Sequence, residues 1–412
     1  MKNIAWQRRG LPNGIRMLLF PRMSSMTAQL SVAVAYGSNS DPEENAGMAH
    51  FLEHMTAGGS TKQIKRSRSI ELMGGYIDFS TGNEDTMIVS DVMPDKLCEA
   101  SQIFSELLFD CTFEEEKLLS ERKIILHEIA EAEDDPWNVL DDLLRKNLFK
   151  THPVKRPVLG FRKTVSKLSL DELDKIHQIN YVPQNTVLIL SGNFSNKAAE
   201  TVAKNFGCAE NKSGVSNNQP PVEIAKQKEE TKKAKTGISQ TYLSMGTRTV
   251  HSRHPDLPTL NVIDTLLGVG ASSRLFIELR EKKALAYSIE SAHEYGLNYG
   301  YFHIDCAIES KRLEETKCLL QKEMEKLRNE KVLEDELNKV KDMIAGTILR
   351  TVDSPVDFPE TMAVMEMQFN SENSLQEYLD KVKELSVNDI LEAANKYFAE
   401  DSLSTAVLYP KK

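Results

Sequence analysis

The 412-residue chain has no apolar run near the ~20 residues needed to cross a bilayer, which argues against a helical membrane protein. Its first hydrophobic stretch, Met17-Leu18-Leu19-Phe20, is ended by Pro21-Arg22 and is too short for a signal peptide, so a cytoplasmic, soluble chain is expected. Cysteine is scarce: five residues (Cys98, Cys111, Cys208, Cys306, Cys318), scattered, odd in number and without a CxxC pair. They read as reduced, mostly buried small apolar residues, not a disulfide framework or a redox pair. Positive charge is also in deficit. Against 61 acidic residues stand 51 Lys and Arg, a formal net charge of −10, which excludes general affinity for nucleic acid. The basic stretch Lys62 to Arg68 reads as a solvated helix start.

What is present is enough for two domains. An apolar fraction of 40% can bury a core in each half, and the length exceeds one ordinary domain. A polar stretch with Asn217-Asn218-Gln219-Pro220-Pro221 and then a Lys/Glu run has linker composition. The expected division is residues 1–212, a linker at 213–234, and 235–412. The two flanks echo each other. Ser169 caps a helix running to Tyr181, followed by the strand Asn185–Leu190; Ser386 starts a helix reaching Tyr397, followed by a strand from Leu403 to Tyr409. Glu114-Glu115-Glu116 and Glu334-Asp335-Glu336 each open a long helix, where acidic residues complement the positive end of the helix dipole. Gln29 to Tyr36 alternates as a strand, and Gln240 to Met245 does so less cleanly. The pattern predicts an α+β fold: two homologous domains, each a mainly antiparallel sheet packed with helices, joined by a central linker.

The chemistry lies in His50-Phe51-Leu52-Glu53-His54. On a helix His50 and His54 are about 40° apart around the axis, with Glu53 on the same face. Two imidazoles can then hold one ion while the carboxylate reaches a water and takes its proton, the logic of the HxxEH motif. Composition alone would produce HxxEH on the order of 0.02 times in such a chain. Asn45 or Glu44 is the expected cap of this helix, and Gly58-Gly59 its end. A third ligand is available on the helical stretch around Glu121 and Glu128, which are seven apart and share a face. Either can ligate while the other orients a ligand, and His127 and Glu131 are rivals on spacing. His251 and His254 flank a Pro-containing loop beside no helical carboxylate and read as surface residues.

These residues resemble the pitrilysin family, which includes insulysin and the mitochondrial processing peptidase. The resemblance is carried by Leu11-Pro12-Asn13-Gly14-Ile15-Arg16, Gly47 to Met55, Glu121-Arg122-x-x-Ile125-x-x-Glu128 and Arg156-Pro157-Val158-Leu159-Gly160. It continues through Ser272-Ser273-Arg274-Leu275-Phe276 and Leu279 to Tyr287. It implies that His50, His54 and Glu128 bind one Zn2+ per chain, that Glu53 is the general base, and that Glu121 is an accessory carboxylate. Arg280 and Tyr287 would be the substrate-binding pair, an Arg holding a peptide carbonyl or carboxylate and a Tyr hydroxyl stabilising an oxyanion. One departure stands after Gly74-Gly75: where the family has Asn-Ala on a strand that pairs with substrate, this chain has Asp78-Phe79-Ser80-Thr81. Pairing through the backbone survives such a change; the residues that fit beside the scissile bond need not. In place of His50 and His54 the second half offers residues such as Asn261, Val262 and Asp264.

The expectation is a zinc metalloendopeptidase that hydrolyses short unfolded peptides inside a chamber formed by a dimer, with no nucleic-acid or membrane partner. Since one chain carries both the zinc motif and the Arg/Tyr pair, a homodimer is expected; a homologous partner chain is the alternative. The rival from another class is a non-catalytic scaffold subunit, of the kind that usually loses its ligands.

Overall fold

The computed structural model describes residues 6–210, 223, 228–354, 356–370 and 374–411. Its elements in chain order begin with β1 (Gln7–Gly10), β2 (Arg16–Pro21), β3 (Ala28–Val34), α1 (Met48–Gly58), α2 (Thr61–Leu72), β4 (Tyr76–Thr81) and β5 (Thr86–Val92). They continue with α3 (Leu97–Phe109), α4 (Glu115–Asp134), α5 (Pro136–Leu148), the single turn α6 (Arg162–Val165), α7 (Leu170–Asn180), β6 (Thr186–Gly192) and α8 (Asn196–Gly207). The second half runs β7 (Glu230–Lys235), β8 (Thr241–Arg248), α9 (Leu257–Gly268), β9 (Ala286–Tyr295), β10 (Gly300–Ile308) and α10 (Leu313–Asn329). It ends with α11 (Glu334–Asp353), α12 (Asp357–Phe369), α13 (Ser374–Glu384), α14 (Val387–Tyr397) and β11 (Ser404–Pro410). None of the described helices is long and apolar enough to cross a membrane.

The duplication is explicit in the two sheets. One has the order β1-β2-β6-β3-β5-β4, the other β7-β11-β8-β10-β9. Without β1 the orders correspond strand for strand, and each sheet has a single parallel pair, β2 with β6 and β7 with β11. All other pairs are antiparallel. Both halves end with the same local device. Ser169 and Ser386 accept from the backbone N–H three residues on, while Glu172 and Asp389 reach back to the cap, closing capping boxes at α7 and α14.

Sequence and space part company in one respect. The chain forms two compact units, 1–130 with 157–219 and 351–372, and 131–156 with 220–350 and 373–412. The contiguous division at 213–234 is thus crossed twice. Helix α5 packs in the second unit, where Leu140, Leu144 and Leu148 join Tyr299, Tyr301, Ala406 and Leu408 in one buried cluster. Helix α12, its counterpart in the repeat, packs in the first, with Phe358 edge-on to Phe20 at 4.6 Å between ring centroids. Residues 213–222 and 224–227 of the expected linker lie outside the described residues, and its end is no linker but strand β7. Charged residues suit that position because β7 is the edge of its sheet.

Two smaller expectations change. The basic stretch falls in α2 as read, but Arg66 is buried, bonded to Glu106 and to Asp110, so it is a structural cation. All five cysteines are free, yet Cys208 and Cys318 are exposed. His251 and His254 are ring neighbours at 5.9 Å whose Nδ1 atoms accept from backbone N–H groups of their own loop.

Candidate metal centre

Helix α1 is placed by contacts its own segment does not announce. Gly47 stands before it at φ 96°, a left-handed conformation that glycine adopts without strain. A Cβ there would lie 2.6 Å from the carbonyl oxygen of Leu159, so the Pro157–Gly160 turn presses directly on the start of the helix. The expected caps Asn45 and Glu44 do not serve: Asn45 donates to Glu172. Asp41 does instead, its carboxylate accepting from the N–H groups of Gly47 (2.9 Å) and Ala49 (3.0 Å) and from the Tyr36 hydroxyl. A carboxylate at this end also meets the positive pole of the helix. At the other end the helix stops at Gly58-Gly59 as read.

One face of α1 is core, through Phe51, Leu52 and Met55. The other carries His50, Glu53 and His54, each offering a ligand atom within 4.8 Å of the others. Helix α4 brings up the carboxylates. Glu128 Oε2 lies 3.6 Å from His50 Nε2 and 3.4 Å from His54 Nε2. Glu121 Oε2 lies 3.0 Å from His54 Nδ1. The spacing of seven left the roles of the two glutamates open; their partners separate them, because Glu121 faces the far nitrogen of His54 and Glu128 faces both near ones. His127 and Glu131 are exposed and take no part. Glu53 accepts a hydrogen bond from the Thr81 hydroxyl on β4 at 2.7 Å. Thr81 was absent from the sequence-predicted site, since nothing local to Asp78–Thr81 says that this strand borders α1.

Two imidazole nitrogens and a carboxylate oxygen around one tetrahedral zinc sit about 3.3 Å apart, given bonds of roughly 2.0–2.1 Å. The observed 3.4 and 3.6 Å match that spacing. Protonation agrees. Burial and the neighbouring His54 hold His50 down at about 3, so it is neutral with a lone pair to give. Burial works against a charge on His54 too, but the hydrogen bond to Glu121 and the charges of Glu128 and Glu53 outweigh it and raise its pKa. Carboxylates that favour a proton there equally favour a metal cation in its place. Burial raises Glu53, opposed by the Thr81 hydrogen bond, which moves a carboxylate toward the range useful to a base near neutral pH. His50 Nδ1 is buried and has no hydrogen-bond partner among the described residues.

Arg280 and Tyr287 belong to the second unit. Arg280 lies on a π-helical segment, Phe276–Lys282, with its guanidinium 4.8 Å from the Phe276 ring centre and 5.0 Å from that of Tyr287. Tyr287 is the second residue of β9 and is 79% exposed. Between them Ala284 holds φ 49°, a left-handed value unusual for a side chain, and the N–H of Leu285 closes the turn onto the carbonyl of Leu279. The structure therefore brings this pair together as a stacked cation and ring.

In the second unit α9 stands where α1 stands in the first. Aligning Asp264 with Glu53 puts Asn261 at the position of His50 and Thr265 at that of His54. His293 bonds the residue at the His50 position, Nδ1 to Asn261 Oδ1 at 2.7 Å, and its Nε2 meets the Thr249 hydroxyl at 2.9 Å. Among the described residues no second group of three metal-ligating side chains gathers.

A duplicated α+β chain with one HxxEH helix and a glutamate from the following long helix defines a class, that of the inverted zinc-peptidase motif. Residues 17–162 match the family model for insulinase (peptidase family M16), and residues 167–344 match that for the peptidase M16 inactive domain. The chain belongs to the M16 peptidase family. A Bacillus subtilis relative, the uncharacterized zinc protease YmxG, is 27% identical over 394 residues, covering 94% of this chain and 95% of its own. An uncharacterized zinc protease of Rickettsia bellii is 26% identical, covering 96% of each chain. The solved structure of a protease from Helicobacter pylori superposes with a TM-score of 0.91 at 22% identity, over 99% of this chain and 100% of that one. The peptidase M16 inactive domain from Pseudomonas fluorescens does so with 0.91 at 21%, over 99% and 98%. At these identities the two structures establish the fold.

Proposed function

We propose that the chain is a zinc metalloendopeptidase acting on short, extended peptides. The observation that carries this reading is the placement of Glu128 Oε2 within 3.6 Å of both near imidazole nitrogens, with Glu53 beside them on the same helix. His50, His54 and Glu128 would hold one zinc ion, and Glu121 would fix the ring of His54 through Nδ1. When bound, the ion supplies Lewis acidity and lowers the pKa of a water at the site. Glu53 takes the proton of the attacking water and delivers it to the leaving amine. The free edge of β4 offers backbone groups to an extended substrate, with Tyr76, Asp78 and Ser80 on its exposed side. Arg280 and Tyr287 are assigned to substrate binding, the Arg at a carbonyl or carboxylate and the Tyr at the developing oxyanion.

A homodimer acting in the cytoplasm is the assembly proposed, with a homologous partner chain as the alternative. The reading of a non-catalytic subunit draws on the inactive-domain match over residues 167–344. It has less support here, because the motif residues lie in the segment that matches the insulinase model. Digestion of a peptide library by wild type and Glu53→Gln, with mass spectrometry of the products and zinc analysis, tests the proposal. One zinc per chain and cleavage abolished in Glu53→Gln are expected. A zinc-free wild-type protein, or cleavage undiminished in Glu53→Gln, overturns it.

A further inference from the structure

The hydrogen bond from Thr81 to Glu53 joins two things that sequence keeps apart by 28 positions: the free edge of the first sheet and the carboxylate beside the two histidines. Thr81 is the last residue of β4, paired with Thr86 of β5 across the turn. That turn is tightly made, with the N–H of Gly82 on the carbonyl of Asp85 and the N–H of Ser38 on the carbonyl of Gly82. The same strand packs Ile77 and Phe79 against the core beneath α1. Thr81 is thus held by the strand pairing, by the turn that follows it and by the packing of its neighbours, and its hydroxyl donates to Oε2 of Glu53. A glutamate side chain has three rotatable bonds, and a buried one with a single fixed donor loses most of that freedom.

We propose that Thr81 is a positioning residue for Glu53, holding the carboxylate in the orientation that the base requires and tying it to the strand along which a peptide would lie. This inference rests on the peptidase reading above. The contact is a device of the fold put to a new use: in the second unit Ser291 on β9 bonds Asp264 on α9 in the same way, on a helix that carries no histidine. In the first unit the carboxylate so held is the one beside His50 and His54, and an edge strand holds it. Substrate added to that edge would stiffen β4 and with it the mount of Glu53.

The test uses the full-length protein with Thr81→Val, which keeps the β-branched shape and removes the hydroxyl, and Thr81→Ser, which keeps the hydroxyl. Zinc content, thermal unfolding, steady-state cleavage of a peptide identified with the wild type, and hydrogen exchange of residues 76–81 are measured for each. Expected for Thr81→Val are wild-type zinc content and Tm, KM within about twofold, and kcat down at least tenfold, inside the roughly 10²-fold that a displaced catalytic group costs. Thr81→Ser should recover kcat to within about threefold. Wild-type kcat in Thr81→Val, or a loss that Thr81→Ser does not recover, overturns the inference while leaving the peptidase reading intact. A fall in zinc content or Tm that accounts for the lost activity also overturns it, because Thr81 would then be structural. If wild type binds zinc and cleaves nothing, the peptidase reading fails; faster exchange of residues 76–81 in Thr81→Val then still supports the link to the strand, and unchanged exchange removes it.

Discussion

Ser291 donates its hydroxyl to Asp264 at 2.5 Å in the second unit, the counterpart of Thr81 and Glu53 at 2.7 Å in the first. The second copy of the duplicated helix carries the acid without the two histidines. Burial raises Asp264 to about 7, against the opposing hydrogen bond from Ser291. A carboxyl whose folded pKa exceeds its unfolded value binds more protons in the native state between those values. Stability is therefore lost as pH rises from about 4 to 7.

Asp264→Asn should remove that slope, because an amide of the same shape does not titrate. Chemical denaturation at pH 5 and pH 8 checks it: wild type should be less stable at pH 8 than at pH 5 by more than the variant is. The two proteins should differ little at pH 5, where Asp264 is protonated. A variant as pH-sensitive as the wild type across this range would assign the slope to other groups.

Glu121 lies 3.0 Å from His54 Nδ1 and makes no contact with the near nitrogens. Its expected role is to fix the His54 tautomer with Nε2 unprotonated. Glu121→Ala should weaken zinc binding about 10–100-fold, the usual cost of losing such a partner. Glu121→Gln keeps an acceptor for Nδ1–H and should lose less. Competition with a chelator of known affinity measures both, and equal losses would make the charge, not the hydrogen bond, the contribution of Glu121.

Gly47→Ala should damage the site from outside it. The residue holds φ 96°, where a side chain costs about 1–2 kcal/mol. The added Cβ would also meet the Leu159 carbonyl at 2.6 Å and Gly160 Cα at 3.0 Å. Neither neighbour is a flexible side-chain end, so α1 must shift. A lower Tm together with reduced zinc content is expected, whereas Gly207→Ala, where nothing lies within 4 Å, should leave zinc content alone.

What could be read from the sequence was local in origin. The HxxEH face of α1, the helix starts at Ser169 and Ser386, and the doubled strand and helix pattern each depend on residues within one or two turns of each other. Glu121 and Glu128 were legible as one helix face, but their roles required knowing which imidazole nitrogen each meets. Asp41 escaped notice as a cap because it acts from six and eight residues away, through a loop whose path sequence does not display. Thr81 escaped because its partner is on another element. The exchange of α5 and α12 was hidden for a similar reason: an amphipathic helix shows that it has a core face, not which sheet it covers.

That exchange yields the sharpest expectation for the fold. Phe358 of α12 is 1% exposed, edge-on to Phe20 of β2, and carries the guanidinium of Arg22 5.2 Å from its ring centre. Glu366 on the same helix is buried between Arg8 and Arg16, at 2.8 and 3.7 Å. A fragment ending at residue 210 contains every proposed zinc ligand and Glu53, yet leaves Phe20, Arg8 and Arg16 without these partners. It should therefore be aggregation-prone and bind zinc poorly, although its motif is complete. In the full chain Phe358→Ala should cost about 3–5 kcal/mol, the usual price of emptying a buried aromatic site. Denaturant unfolding measures that loss. A fragment of residues 1–210 that folds cooperatively and binds zinc like the whole chain would show that α12 is dispensable to the first unit.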